Sequence, residues 1–386
     1  MDVAATLLRE SGFAGLGWQN LVMFGIGGLL IWLAIRKGFE PLLLIPIGFG
    51  AILANLPRAL LSVSDAYTPA AGAPFPPLLQ LVYDSGIRTE FLPPVIFLGV
   101  GALTDFRPLL ARPVTFLLGA AAQLGVFVAA VGASQLFGFS NGEAASIGII
   151  GGADGPTSIY LTAKLAPHLL GAVAVSAYSY MALVPVIQPP IMRLLTTRQE
   201  REINMPQAKP VSSTAVVVFP IATAVVAALA VPTCAPLIGL LMFGNLLRES
   251  GVTERLHKTA GSHLINAVTI FLGLTVGATM EGSAFLHPRT LAILLLGAVA
   301  FACSTAGGVL FAKLLNLFLR GGQRVNPCIG AAGVSAVPMA ARVVQTFVSR
   351  ETGGRVNPLM PAMGPNVAGV IGTAVAAGVF LTLIGR

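Results

Sequence analysis

The stretch Ile147-Gly-Ile-Ile-Gly-Gly-Ala-Asp-Gly-Pro-Thr-Ser-Ile-Tyr160 is apolar at both ends and broken in the middle by Gly151, Gly152, Asp154, Gly155 and Pro156. Glycine weakens a helix and proline lacks the backbone donor, so the spacing predicts an interrupted helix. Inside a bilayer, non-helical backbone survives only where protein or a water-filled cavity surrounds it. An ionisable residue at that depth marks a candidate functional site. Two half-helices meeting at Asp154 would offer a carboxylate, free carbonyls and free N–H groups together, as in many transporters that hold a cation. The same carboxylate also fits the N-cap of a helix starting at Gly155-Pro156, and the two uses are compatible.

Working outward, the 386 residues are 55% hydrophobic and only 10% charged, with mean hydropathy +0.84. Soluble domains carry about 25% charged residues, so the expected class is an all-α polytopic membrane protein. Most of the 44 glycines and 27 prolines lie in or beside apolar runs, where they serve close helix packing and helix breaks rather than disorder. The net charge of +8 comes from clusters between those runs: Arg36-Lys37, Arg193 to Lys209 and Arg248 to Lys258. That placement suits membrane orientation and gives no sign of nucleic-acid binding. Cys234, Cys303 and Cys328 are scattered, and the four histidines lack ligand spacing, so neither a disulfide framework nor a metal cluster is expected. The first apolar run ends in a basic pair, as a retained span would, and no cleavable secretory signal is read. No P-loop, GxSxG or HExxH pattern occurs, which leaves ATP-driven transport and hydrolysis by those routes unsupported.

The chain divides into an amphipathic lead-in over 1–19 with Trp18 as an interfacial anchor, a first membrane repeat over 20–196, a polar linker over 197–211 and a second repeat over 212–386. Broken helices are expected at 147–163 and 326–346. About eleven to thirteen apolar runs are counted, not all long enough to cross. Ser62 to Pro77 reads as a loop, and Leu78 to Val82 as a re-entrant or interfacial turn. The repeats match in order. Pro46 to Gly50 resembles Pro236 to Gly244, and Ser85 to Glu90 resembles Ser250 to Glu254. Ile96-Phe-Leu-Gly99 recurs as Ile270-Phe-Leu-Gly273, and Ile147-Gly-x-x-Gly151 with Pro156 as Ile329-Gly-x-x-Gly333 with Pro338. An odd number of crossings per copy would make the repeats inverted and put a transporter-like site at the midplane between them.

The second broken segment, Asn326 to Pro338, carries no acid; Ala336 stands where the first has Asp154, with Ser335 beside it. One carboxylate and several neutral oxygens suit a small monovalent cation, because a divalent ion usually draws more carboxylates. Asn326 and Asn366 each adjoin a proline and serve as ligands or as helix caps. Ser335 serves as a ligand or bonds back to its own helix. Tyr178 and Tyr180 fit interface aromatics more readily than proton carriers. Arg342 lies one turn beyond Pro338 in an apolar segment, so it must snorkel, pair with an acid or face an aqueous cavity that receives an anion.

Gly151-Gly-Ala-Asp-Gly-Pro-Thr157, Ser179-Tyr-Met-Ala-Leu-Val-Pro185, Asn326 through Arg342 and Gly364-Pro-Asn366 resemble the beta subunits of the sodium-translocating decarboxylases. The resemblance runs from about Leu21 to the end. It implies a subunit that decarboxylates carboxybiotin on a carrier protein, consumes a proton and exports Na+ across a bacterial or archaeal cell membrane. It implies a biotin carrier protein, a carboxyltransferase (alpha) subunit and a small membrane anchor subunit as partners, with a homotrimeric core. It also implies Asp154 as central Na+ ligand and proton-exchange group, Asn326 and Ser335 on the ion and proton path, and Asn366 completing a sodium site. Tyr180 would lie along the path, and Arg342 would assist carboxybiotin or proton transfer. The second reading is a Na+/H+ antiporter of related inverted-repeat architecture, and a scaffold that only anchors a complex is the third.

Overall fold

Helices follow the apolar runs, and their ends follow glycine and proline. The computed structural model describes residues 11–38, 40–59, 61–63, 76–206, 210–319 and 323–385. The helices are α1 (Trp18–Lys37), α2 (Pro41–Ala54), α3 (Leu78–Ile87), α4 (Leu92–Leu103), α5 (Pro113–Phe137), α6 (Asn141–Gly148) and α7 (Gly155–Leu165). They continue with α8 (Leu170–Leu195) before the linker, and after it α9 (Ser213–Ala230), α10 (Ala235–Glu249), α11 (Glu254–Ala278), α12 (Pro288–Phe318), α13 (Met339–Glu351) and α14 (Leu359–Ile384). Among the described residues there is no strand. Gly38 and Gly138 close α1 and α5 in the left-handed conformation, at φ +68° and +67°, where a side chain would be strained. Residues 1–10 of the lead-in, 64–75 of the loop and 207–209 of the linker lie outside the described residues. The described part of the linker contains a helical turn, Arg198–Arg201, capped by Thr197.

Among the described residues, six helices are long and apolar enough to cross a membrane: α1, α5, α9, α11, α12 and α14. The number rises to eight if α3 with α4, bent by 67°, and the two arms of α8, bent by 62°, each count as one span. This is fewer than the eleven to thirteen runs in the sequence, because neighbouring runs fuse into one bent element or stop short of crossing. The bend in α8 has a local cause: Pro185 has no N–H for the carbonyl of Met181.

Burial separates lipid-facing helices from central ones. Only 11% of the apolar window of α9 is buried, against 67% of that of α14. α5, α12 and α14 enclose both broken segments, and glycine lets the backbones touch. A Cβ on Gly330 would lie 2.1 Å from the Gly308 carbonyl oxygen of α12, and one on Gly369 would lie 2.3 Å from the Gly333 carbonyl oxygen. Away from this centre, two helix pairs cross between the halves of the chain. α2 meets α11 where Gly50 approaches the Leu274 carbonyl, and α4 meets α10 where Gly244 approaches the Leu98 carbonyl. Small residues at such crossings permit the van der Waals contact that holds membrane helices together.

Candidate functional site: two broken segments meeting at Asp154

The first break is built in four steps. Ser140 caps α6 and forms a capping box with Glu143. The helix tightens into a 3-10 turn over Ile149–Gly152, and Ala153 turns left-handed at φ +52°, a conformation that costs a non-glycine residue about 1–2 kcal/mol. Asp154 is then extended and caps α7: its Oδ1 accepts from the Thr157 backbone N–H at 3.0 Å. The expected N-cap is therefore real, and it uses one carboxylate oxygen.

The other oxygen reaches across to the second segment. Ser335 Oγ donates to Asp154 Oδ2 at 2.7 Å, and the Ser335 backbone N–H donates to the Gly152 carbonyl at 2.8 Å. Ser335 thus bonds to the facing break and not to its own helix. Asp154 is only 5% exposed, so each of its hydrogen bonds forms away from bulk water, where such bonds are strong. Among the described residues no three His, Cys, Asp or Glu side chains gather at a point, so a cation held here meets one carboxylate and neutral oxygens.

The second segment reaches Ser335 differently. Asn326 caps a 3-10 turn over Pro327–Gly333, and the chain then runs extended before α13. Asn366 of α14 holds that extended stretch in place. Its Nδ2 lies 3.1 Å from the Ala332 carbonyl, 2.7 Å from that of Val334 and 3.4 Å from that of Ala336. These acceptors fix the amide's orientation, so Oδ1 points away from them, and it is buried without a partner.

The structure joins Asp154 to Ser335, sets Asn366 against the carbonyls on either side of Ser335, and places the other three candidates apart. Asn326 donates to the carbonyls of Arg201 and Ile203 and accepts from the Cys328 N–H, at the linker end of the segment. A seven-residue 3-10 turn, roughly 14 Å long, separates it from Ser335. Tyr180 packs on Gly297 of α12 and donates its hydroxyl to the Leu294 carbonyl. Arg342 is exposed on α13, on a polar stripe with Thr346 and Arg350, and its side chain has no partner among the described residues.

Sequence reasoning missed three contributors. Gly152 sits against Thr373 of α14, whose hydroxyl lies 3.2 Å from Gln123 Oε1 at the irregular turn inside α5. Thr157 Oγ1 and Tyr178 Oη, both beside Asp154 in the chain or in space, are buried without partners. Thr157 was visible only as part of the motif. Tyr178 had no signal that set it apart from a packing aromatic.

At the polar linker, away from the apolar spans, ion pairs clasp the chain to the end of α13. Glu351 receives Arg193 at 2.7 Å and Arg201 at 2.6 Å, and Arg355 pairs with Glu202 at 2.9 Å. The hydrogen bond from Arg193, with the nearby positive charge of both arginines, holds the Glu351 carboxyl below its ordinary value.

With this geometry in view, the relatives of the chain can be stated. A family model described as the Na+-transporting oxaloacetate decarboxylase beta subunit matches residues 19–384. The glutaconyl-CoA decarboxylase subunit beta of Acidaminococcus fermentans is 55% identical over 380 residues, covering 98% of this chain and 97% of its own. The methylmalonyl-CoA decarboxylase subunit beta of Veillonella parvula is 54% identical over 383 residues, with 98% and 97% covered. The oxaloacetate decarboxylase beta chain 2 of Salmonella typhi is 50% identical over 437 residues, with 100% and 99% covered. Apolar helices and whole-length similarity lead to one conclusion: the chain is an integral membrane protein that belongs to the family of Na+-transporting decarboxylase beta subunits.

Proposed function

We propose that this subunit decarboxylates carboxybiotin presented by a partner biotin carrier protein, consumes a proton in doing so, and couples the reaction to Na+ export. One observation carries the reading: the buried Asp154 carboxylate joins the two broken segments through Ser335 Oγ at 2.7 Å. A single charge shared by two interrupted segments is a site that a monovalent cation and a proton can occupy in turn. In the chemical step, the bond from the ureido nitrogen to the carboxyl carbon breaks and its electron pair stays on nitrogen. CO2 leaves, and the nitrogen takes the proton. Displacement of that proton by incoming Na+ at Asp154 would link the two fluxes.

In this reading Asp154, Ser335 and Asn366 bind the ion. Asn326 stands toward the linker end of the path and Tyr180 lies beside the first segment. Arg342, on its polar stripe, meets the carboxylate of carboxybiotin. The reciprocal crossings of α2 with α11 and α4 with α10 support two inverted repeats over 20–196 and 212–386, since the counterpart elements swap partners. A carboxyltransferase subunit, a small membrane anchor subunit and a homotrimeric core would complete the assembly. The antiporter reading has no feature here in its favour.

The test is the purified complex in proteoliposomes, wild type against Asp154→Asn, with decarboxylation and 22Na+ uptake read together. Loss of both with assembly intact is the expected outcome. Retained decarboxylation with the wild-type Na+ dependence would reduce Asp154 to a helix cap and sink the proposal.

A further inference from the structure

Two tyrosines stand two residues apart on α8, so they project about 200° apart around the helix. Their surroundings differ in the same sense. Tyr180 donates its hydroxyl to the Leu294 carbonyl on α12. Tyr178 points the other way, onto the residue that follows Asp154. A Cβ built on Gly155 would lie 2.0 Å from Tyr178 Cε1, 2.2 Å from Cζ and 2.6 Å from Oη. The phenol end of the ring, and not merely its edge, therefore occupies the space beside Asp154, and Gly155 has no side chain because that space is taken.

Tyr178 is fully buried, and its hydroxyl has no hydrogen-bond partner. A buried hydroxyl without a partner is disfavoured, and phenylalanine would fill the same volume without that loss. Two other partnerless oxygens belong to this region: Thr157 Oγ1, in the first turn of the helix that Asp154 caps, and Oδ1 of Asn366, whose amide holds the carbonyls of Val334 and Ala336 on either side of Ser335. Uncommitted neutral oxygens with a single acid are the kind of donor set that a hard monovalent cation takes.

Resting on the ion-binding reading of Asp154, we infer that Tyr178 Oη is a direct oxygen ligand of the sodium ion held there, with Thr157 Oγ1 and Asn366 Oδ1 as its neutral companions. The phenol stays neutral throughout. It contributes a lone pair to the ion, and its proton remains in place, so no proton is exchanged at this residue. Tyr178, and not Tyr180, then helps set which monovalent ion the site prefers.

The experiment uses the intact complex and measures decarboxylation as a function of Na+ and, separately, of Li+. Tyr178→Phe removes one oxygen and keeps the ring on Gly155. The half-saturating Na+ concentration is expected to rise about tenfold. Maximal rate should stay within about twofold, and the ratio of Na+ to Li+ half-saturation should shift about threefold or more. A merely structural role would lower the maximal rate or the yield and leave the ion ratio alone, and that result overturns the assignment. So does an unchanged half-saturation. If Tyr178→Phe fails to assemble, 3-fluorotyrosine at position 178 keeps shape and packing while weakening the oxygen as a donor. It must still raise the Na+ requirement, and wild-type behaviour counts against the proposal. Asp154→Asn measured in parallel separates the two levels. If that variant loses Na+-dependent turnover while still assembled and Tyr178→Phe leaves the Na+ requirement unaltered, only the Tyr178 assignment falls. If Asp154→Asn keeps decarboxylating with the wild-type Na+ dependence, the ion-binding reading itself falls.

Discussion

The two broken segments occupy corresponding places and solve the same problem in opposite ways. The first is short, kinks through a left-handed Ala153, and immediately restarts a helix capped by its own acid. The second runs as a 3-10 turn and an extended stretch, has no acid, and borrows Asn366 from α14 to satisfy its carbonyls. One side thus supplies charge and the other supplies neutral dipoles. A matched pair of acids would repel each other at this depth or demand two counter-charges. A single acid facing a neutral partner needs one, which on the proposed reading is sodium or a proton in exchange.

The largest effect should come from abolishing the asymmetry. Asp154→Asn leaves two neutral segments, and breaking a buried charged arrangement typically costs about 3–5 kcal/mol, so Na+-coupled turnover should fall at least about a hundredfold. Steady-state decarboxylation of the assembled complex reads this directly. Ser335→Ala should come next. It removes a hydrogen bond to a charged group, worth about 1.5–3 kcal/mol, and should raise half-saturating Na+ about tenfold to a hundredfold while Asp154 keeps its cap. Equal effects of Ser335→Ala and a substitution at Asn326 would mean that the carboxylate is not what Ser335 serves.

Packing sharpens the comparison further. Gly330 of the second segment lies against the Gly308 backbone, where a Cβ would sit 2.1 Å from a carbonyl oxygen. In the first segment, a Cβ on Gly151 would meet the Ala300 side chain and backbone at 3.0–3.1 Å. Gly330→Ala should destabilise by about 1–3 kcal/mol, and Gly151→Ala by less. Thermal denaturation of the detergent-solubilised complex would rank them, and the reverse order would show the first segment to be the more rigidly seated. The smallest effect concerns pH. Because Glu351 has a depressed folded-state pKa, its contribution is fully present above the unfolded value of about 4.3 and is lost as pH falls through the lower folded value. For a partly exposed cluster the loss should not exceed about 1 kcal/mol, and Glu351→Gln should remove that acid sensitivity from the melting curve.

How much of this was legible depended on contrast. Asp154 stood out because a carboxylate inside an apolar run has few structural excuses, and the breaks around it followed from glycine and proline. Ser335 was ambiguous because a serine in a membrane helix usually bonds its own backbone; only the fold put it opposite Asp154. Asn366 was visible as a polar residue next to Pro365, but its three-carbonyl clamp depends on how α14 lies along a segment thirty residues earlier. Tyr178 was weighed beside Tyr180 and read as an interface aromatic, since an aromatic in an apolar helix ordinarily just packs. The crossing number was unreadable for a different reason: run length reports apolarity and is blind to bends such as the one at Met181.

The swapped crossings have a consequence for how the protein is made. α2 finds its close partner in α11 and α4 finds its own in α10, so neither half of the chain can complete its packing alone. During synthesis the first half must sit in the membrane with the glycine faces of Gly50 and Gly101 uncovered until the second half has been inserted. Biogenesis is therefore a waiting game, in which those bare faces stay open to the wrong neighbour until the later half has docked.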